Sequence, residues 1–426
     1  MKKILPYLAG LAVLIIVAAV ALTLYPSDDA GPAPSITAKL PLPEQVARGA
    51  YLAKAGDCMA CHTTRGGAAY AGGRALQTPF GSMLTPNITS DRDTGIGSWS
   101  ADEFWRALHN GKARDGRLLY PAFPYTNYTR ITRDDADALY AYFQSVPAVR
   151  QANRPHQLRF PYNLQIMLAG WRALYFRPAV FHEQGGQSVA WNRGAYLVEG
   201  LGHCSACHAT RNTLGASGDT LSGGLIPILG WYAPSLTSDG EAGLGGWLPE
   251  HVTSLLKTGV SPRATVFGPM AEVVQRSLQY LDDADIAAMA TYLRALPATP
   301  SRSDDERDKS EEARAFLAAG AKLYKDHCID CHGAHGEGKA PGYPPLDGNR
   351  ALTMTEAVNP VRIVLNGGFA PGTAGNPRPY GMPPFAHVLS DVEVAQVVSY
   401  LRGTWSNNAP PVSSIDVNKY RAVPLD

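Results

Sequence analysis

The chain has 426 residues and a formal net charge of +1, long enough for two to four domains but without a net field that would gather nucleic acid. Its 42 glycines and 33 prolines make it loop-rich, while a 45% hydrophobic content excludes a disordered chain. Small helical domains wrapped by long irregular loops, an all-α fold, suit that combination.

Met1-Lys2-Lys3 precedes a run from Ile4 to Tyr25 that carries no charge, and Asp28-Asp29 follows it. At roughly 1.5 Å per residue the run is long enough for a bilayer core. It predicts an N-terminal transmembrane helix, with residues 1–33 as anchor and linker. The lysines place the N-terminus in the cytoplasm and the rest beyond a bacterial inner membrane, as a single-pass, periplasm-facing chain. A cleaved signal peptide ending in the Ala30–Ala33 stretch is the competing reading. Either one puts residues 34–426 in the periplasm.

The cysteines form three pairs with the same two-residue gap, Cys58/Cys61, Cys204/Cys207 and Cys328/Cys331, and none is left over. A secreted disulfide framework rarely repeats one gap throughout. Alignment on the pairs exposes internal repetition. Arg48-Gly-Ala-Tyr-Leu52 stands before Cys58, and Arg193-Gly-Ala-Tyr-Leu197 before Cys204. Thr85-Pro-Asn-Ile-Thr-Ser-Asp91 matches Ala233-Pro-Ser-Leu-Thr-Ser-Asp239, and Thr94-Gly-Ile-Gly-Ser-Trp99 matches Ala242-Gly-Leu-Gly-Gly-Trp247, both at an offset of 148 residues.

Each unit closes on an amphipathic helix with acids in its first turn. The runs are Asp134–Phe143 before Pro147, Asp282–Leu293 before Pro297, and Ser390-Asp391 through Tyr400 to Trp405. The domains are therefore 34–149, 191–300 and 313–426. Residues 150–190 form a connector whose Leu164, Ile166, Met167, Leu168, Trp171 and Leu174 predict a helix docked between domains. Residues 301–312 form a charged, solvated tether.

Histidine follows every pair at once: Cys58-Met-Ala-Cys61-His62, Cys204-Ser-Ala-Cys207-His208 and Cys328-Ile-Asp-Cys331-His332. This is the attachment signature of c-type haem. Two thiols add across the vinyl groups of one haem, and the adjacent imidazole becomes the proximal iron ligand. A single copy could be a redox dithiol or half a zinc site. Three copies in matched contexts predict three covalently bound haems c.

The sixth iron ligand sets the potential, and methionine raises it relative to histidine. Gly268-Pro-Met270 lies before the second closing helix, and Tyr380-Gly-Met-Pro-Pro-Phe385 places Met382 before the third. A lone Met is more often core filler, but position and recurrence favour ligation here. In the first unit Leu119-Tyr-Pro-Ala-Phe-Pro-Tyr125 puts Phe123 where methionine is expected. Met83, His109 or a vacant site remain there, and Met83 is the preferred candidate. Trp99 and Trp247 recur at matched positions, as pocket packing or as N–H donors to a haem propionate.

With these motifs in place, residues from about 45 to 405 resemble the triheme cytochrome c subunits of membrane-bound bacterial dehydrogenases. The resemblance implies that the chain takes electrons from a catalytic dehydrogenase subunit and passes them to ubiquinone or a terminal oxidase. It implies no substrate-oxidising site of its own. Leu119–Tyr125, the apolar N-terminus and the long connector look more like the branch paired with molybdenum and iron–sulfur hydroxylases, which oxidise aldehydes or heterocycles such as nicotinate and isoquinoline. Partnership with a quinoprotein alcohol or flavoprotein sugar dehydrogenase is the alternative, and a haem peroxidase using an open iron in the first unit a more distant one. Haem analysis of the purified protein is expected to give three haems per chain; a ratio near zero or one would overturn the reading of the pentapeptides.

Overall fold

The computed structural model describes residues 40–299, 310–340 and 342–423, together with Tyr7, Gly10 and Ile15. The chain divides into two compact units. Unit 1 holds the first repeat and the connector as far as Glu183, with residues 199–203 and 213–216. Unit 2 holds the remainder of the second repeat and the whole third repeat.

In unit 1 the elements run α1 (Leu42–Ala55), α2 (Cys58–His62), β1 (Ala75–Thr78), β2 (Gly81–Leu84), α3 (Ala101–Asn110), α4 (Tyr125–Tyr128), α5 (Arg133–Ser145), β3 (Gln157–Leu158) and α6 (Gln165–Tyr175). Ser100 and Glu103 form a reciprocal capping box at the start of α3, and Thr132 caps α5 through the Asp135 amide. Strands β1, β2 and β3 make one antiparallel sheet, with Leu76 opposite Met83. The core joins Leu52, Phe104, Trp105, Tyr128, Ile131, Leu139, Phe143 and Leu201.

Unit 2 continues with α7 (Val189–Tyr196), α8 (Ser205–His208), β4 (Gly224–Ile226), β5 (Trp231–Ala233), α9 (Pro249–Thr258), β6 (Val260–Ser261), β7 (Ala264–Thr265), α10 (Pro269–Arg276) and α11 (Asp283–Arg294). The third repeat follows as α12 (Glu311–His327), α13 (Ile329–His332), α14 (Arg350–Thr353), α15 (Val358–Asn366), β8 (Gly368–Phe369), β9 (Gly381–Met382), α16 (Asp391–Gly403) and α17 (Ser414–Arg421). Its core is built from Tyr324, Val361, Leu365, Val394, Val398, Leu401 and Val417.

One helix pair dominates each repeat: α1 with α5, α7 with α11, and α12 with α16. A glycine stands at every crossing. Gly49 faces the Ala138 carbonyl and Tyr142, Gly194 the Ala288 carbonyl and Tyr292, and Gly320 the Gln396 carbonyl and Tyr400. A Cβ at any of the three would overlap that carbonyl. Two crossings are also tied by charge. Arg193 grips both carboxylate oxygens of Asp285 through two 2.7 Å bonds, and Arg48 donates from Nε and Nη2 to Oδ1 of Asp135. The third repeat has Ala319 and Glu393 at these positions, and Glu393 instead caps its own helix at Ser390.

Two expectations need correction. No helix among the described residues is long and apolar enough to cross a membrane, which overturns the N-terminal transmembrane helix. Apart from Tyr7, Gly10 and Ile15, the run Ile4–Tyr25 lies outside the described residues. Apolar length is a condition for a span and does not by itself make one. The fold is also not purely helical, because four small antiparallel sheets accompany the helices. Their strands are two to four residues long, too short for an alternating pattern to register in sequence.

The connector helix α6 belongs to unit 1 and is buried on one side only. Leu168 is 4% exposed, whereas Leu174 is 70% exposed. Arg172 donates to the Asn110 carbonyl at 2.6 Å and stacks over Phe176, and Trp171 Nε1 donates to Leu214 O at 2.9 Å. The tether at 301–309 lies outside the described residues.

The glycine crossings lead to a contrast. Gly194→Val should cost about 3 kcal/mol, since the added atoms meet backbone that cannot retreat. Gly170→Ala, in α6 with open space around it, should stabilise by about 0.5–1 kcal/mol. Denaturant midpoints of the two variants test both signs.

Candidate haem sites

Each attachment pentapeptide folds the same way. A long helix (α1, α7 or α12) leads into it, and the histidine ends the short helix that follows, α2, α8 or α13. In the first two repeats the residue before the leading cysteine is left-handed, Asp57 at φ 48° and His203 at φ 37°, which turns the chain sharply from the long helix into the motif.

The imidazoles are held identically. His62 Nδ1 bonds the Pro86 carbonyl at 2.8 Å, His208 Nδ1 the Pro234 carbonyl at 2.6 Å, and His332 Nδ1 the Pro344 carbonyl at 3.0 Å. A carbonyl only accepts, so Nδ1 carries the proton in all three rings and Nε2 keeps its lone pair. That tautomer, with the second nitrogen fixed by a backbone acceptor, is the one a metal-binding histidine adopts. Burial holds all three rings below the usual histidine range, His208 down to about 4, against the raising effect of the proline carbonyls. They are therefore neutral near pH 7.

None of the six thiols is in a disulfide. Burial, with smaller repulsion from the neighbouring cysteine, pushes Cys58 and Cys204 up to about 12 and Cys328 to about 11. A thiol–disulfide catalyst needs the opposite shift. Among the described residues no three His, Cys, Asp or Glu side chains converge to hold a metal ion, so the donor set is not that of a zinc site. What remains at each motif is a pair of thiols and one nitrogen donor, which fits a thioether-linked haem.

The family Cytochrome c matches residues 46–147, 192–297 and 317–405. This chain belongs to the cytochrome c family. It is 40% identical over 396 residues to the gluconate 2-dehydrogenase cytochrome c subunit of Pantoea cypripedii, covering 88% of this chain and 89% of that one. To the cytochrome c subunit of the quinone alcohol dehydrogenase of Gluconobacter oxydans it is 37% identical over 394 residues, with 88% and 82% covered. To a nicotinate dehydrogenase subunit of Pseudomonas putida it is 40% identical over 372 residues, covering 85% of this chain and 30% of that one. The cofactor of this cytochrome is covalently bound haem c.

The methionines occupy different settings. Met382, in β9, borders the third core together with Cys328, Phe385 and Trp405. Phe123 borders the first core together with Cys58, Met59 and Trp99, its ring 5.4 Å from Tyr128. A phenylalanine thus borders the core beside the first motif, and a methionine the core beside the third. Met270 is the second residue of α10, after Pro269 and the N-cap Gly268, whose φ of 55° turns the chain against Trp231; a Cβ at Gly268 would lie 2.6 Å from the indole. Met83, at the position matching Trp231, is 7% exposed in β2. His109 is stacked on Trp105 at 4.5 Å, with Nδ1 2.8 Å from the Thr129 carbonyl.

Sequence reasoning missed the three prolines that fix the histidines. Pro86 and Pro234 stand within the repeated Thr85–Asp91 and Ala233–Asp239 stretches, so the signal was present there; Pro344 sits in a loop that shares none of that wording. Trp247 is buried, and the guanidinium groups of Arg263 and Arg350 each lie 5.7 Å over its ring. Met382→Ala should remove the sulfur–iron charge-transfer absorption of one haem and lower its potential. Met83→Ala should alter the spectrum of a different haem, and an unchanged spectrum and potential would remove Met83 as a ligand.

Proposed function

We propose that the chain is a triheme electron relay of the bacterial periplasm, receiving electrons from a catalytic dehydrogenase subunit and delivering them to ubiquinone or a terminal oxidase. The observation that carries the reading is the threefold repetition of one cofactor cradle, a Cys-x-x-Cys-His motif whose imidazole is fixed through Nδ1 on a proline carbonyl.

Haem c supplies reversible one-electron chemistry at iron. The chain's residues hold it and grade its potential. Cys58/Cys61, Cys204/Cys207 and Cys328/Cys331 would hold three haems by thioether bonds, and Nε2 of His62, His208 and His332 would each offer a nitrogen donor to iron. Met270 and Met382 would offer a thioether sulfur to iron in the second and third repeats, and Met83 in the first. The apolar cores around the motifs keep water back, which limits reorganisation when charge changes.

The preferred partner is a dehydrogenase with molybdenum and iron–sulfur centres acting on aldehydes or nitrogen heterocycles. Phe123 in place of methionine and the likeness to the nicotinate dehydrogenase subunit support it. A quinoprotein or flavoprotein partner is the second reading, favoured by the likeness to the gluconate dehydrogenase subunit along 89% of its length. Co-purification in mild detergent followed by cofactor analysis separates them. Molybdenum with iron–sulfur is the expected result, while pyrroloquinoline quinone or flavin would overturn the first branch in favour of the second. Recovery without any dehydrogenase would oppose the relay itself.

A further inference from the structure

Within unit 2 the third repeat reaches into the second through a polar seam. The Asn359 side chain bonds both ways to the Tyr232 backbone, at 2.9 and 2.8 Å. Thr355 donates through its hydroxyl to the Glu241 carboxylate at 2.6 Å, and the Arg350 amide donates to the Arg263 carbonyl at 2.9 Å. These contacts are satisfied and ordinary. One group in the seam is different.

Arg350 opens α14 and is 7% exposed. Its Nη2 donates to the Ser235 carbonyl, while its Nε is buried without a hydrogen-bond partner. Ser235 directly follows Pro234, the residue whose carbonyl fixes His208. The guanidinium also lies 5.7 Å over the Trp247 ring, which it shares with Arg263. Burial draws its pKa down to about 10, partly offset by Asp239, so it remains charged at neutral pH. Its charge is felt at His208. A buried cation with an orphaned N–H is costly to fold around unless an anion meets it.

We propose that Arg350, carried by the third repeat, binds a propionate of the haem held in the second repeat and thereby holds that haem's potential up. The propionate supplies the anion that the orphaned Nε lacks, in a charge-assisted bond that a guanidinium is shaped to make. Neutralising a carboxylate close to iron disfavours the ferric state, which carries one more positive charge than the ferrous state. The potential of the second haem then depends on a charge that the neighbouring repeat supplies. The inference rests on the haem of the proposed relay being present at Cys204 and Cys207.

The test is a spectroelectrochemical titration of the full haem-loaded chain. Haem content is measured first: three haems per chain keep the relay reading, and absence of the second haem would remove that reading rather than test Arg350. Arg350→Gln is expected to lower one midpoint and leave the other two in place, and Arg350→Lys to restore most of the shift. Thr355→Val, which loosens the same seam without removing a charge, is expected to move none. Three unchanged midpoints in Arg350→Gln, or an equal shift in Thr355→Val, would overturn the proposal. Should Arg350→Gln fail to assemble, an experimental structure of the haem-loaded wild-type chain decides. The guanidinium is expected within hydrogen-bond distance of a propionate of the second haem, and a guanidinium facing no propionate overturns the assignment.

Discussion

The close crossing of two helices at a glycine is the constraint from which each repeat is built. A cytochrome domain of about a hundred residues has little core to spend on rigidity, and much of its surface is irregular loop. Bringing Gly49, Gly194 and Gly320 against opposing carbonyls lets two backbones approach closely enough for their side chains to interdigitate over several turns. The helix that holds the glycine leads into the attachment motif, in the second repeat by way of the π-helical turn Leu197–Leu201, and its partner closes the repeat. The crossing therefore positions the motif relative to the core, and the loops between are free to vary. Charge pairing reinforces the arrangement in the first two repeats, where Asp135 and Asp285 are well buried against exposed or half-buried arginines. Its absence from the third shows that steric fit, not charge, is the common element.

The second recurring device acts on electronic structure. A histidine that could rotate or change tautomer would present iron with a variable donor. Fixing Nδ1 on a proline carbonyl removes both freedoms and raises the basicity of Nε2. Proline suits the task because its ring fixes φ, so the carbonyl is aimed by a stiff segment. In the second repeat the next carbonyl, that of Ser235, is itself held by Arg350. The acceptor loop is thus braced from both sides, once by the ligand it fixes and once by the neighbouring repeat.

The chemistry was legible in the sequence because covalent attachment demands residues at fixed spacing, and three copies removed chance as an explanation. The closing helices were legible too, since acids in the first turn and proline beyond the last mark their limits. The crossing glycines were visible inside Arg48-Gly-Ala-Tyr-Leu52 and Arg193-Gly-Ala-Tyr-Leu197, but nothing in a single sequence says what a glycine faces. The short strands escaped for lack of length. The apolar N-terminal run was read as a membrane span from its length and its lack of charge, and no described helix meets that description. Arg350 was not legible at all: it belongs to one repeat by sequence and to the pocket of another by packing.

That last case points to how tandem repetition can generate differences. Three copies of one cradle, each folded alone, would tend toward similar potentials, and a relay needs a gradient. Two sources of difference exist in this chain. One lies inside a repeat, where Phe123 borders the first core and Met382 the third. The other lies between repeats, because only a docked neighbour can place a buried charge against a pocket without disturbing the helix crossing that builds it. The polar seam of Asn359, Thr355 and Arg350 does this within unit 2 at little cost to either core, since most of its bonds run to backbone carbonyls and amides already oriented by their own repeat. Divergence of axial ligands and of docking residues can then proceed separately, with the glycine crossings held constant beneath both.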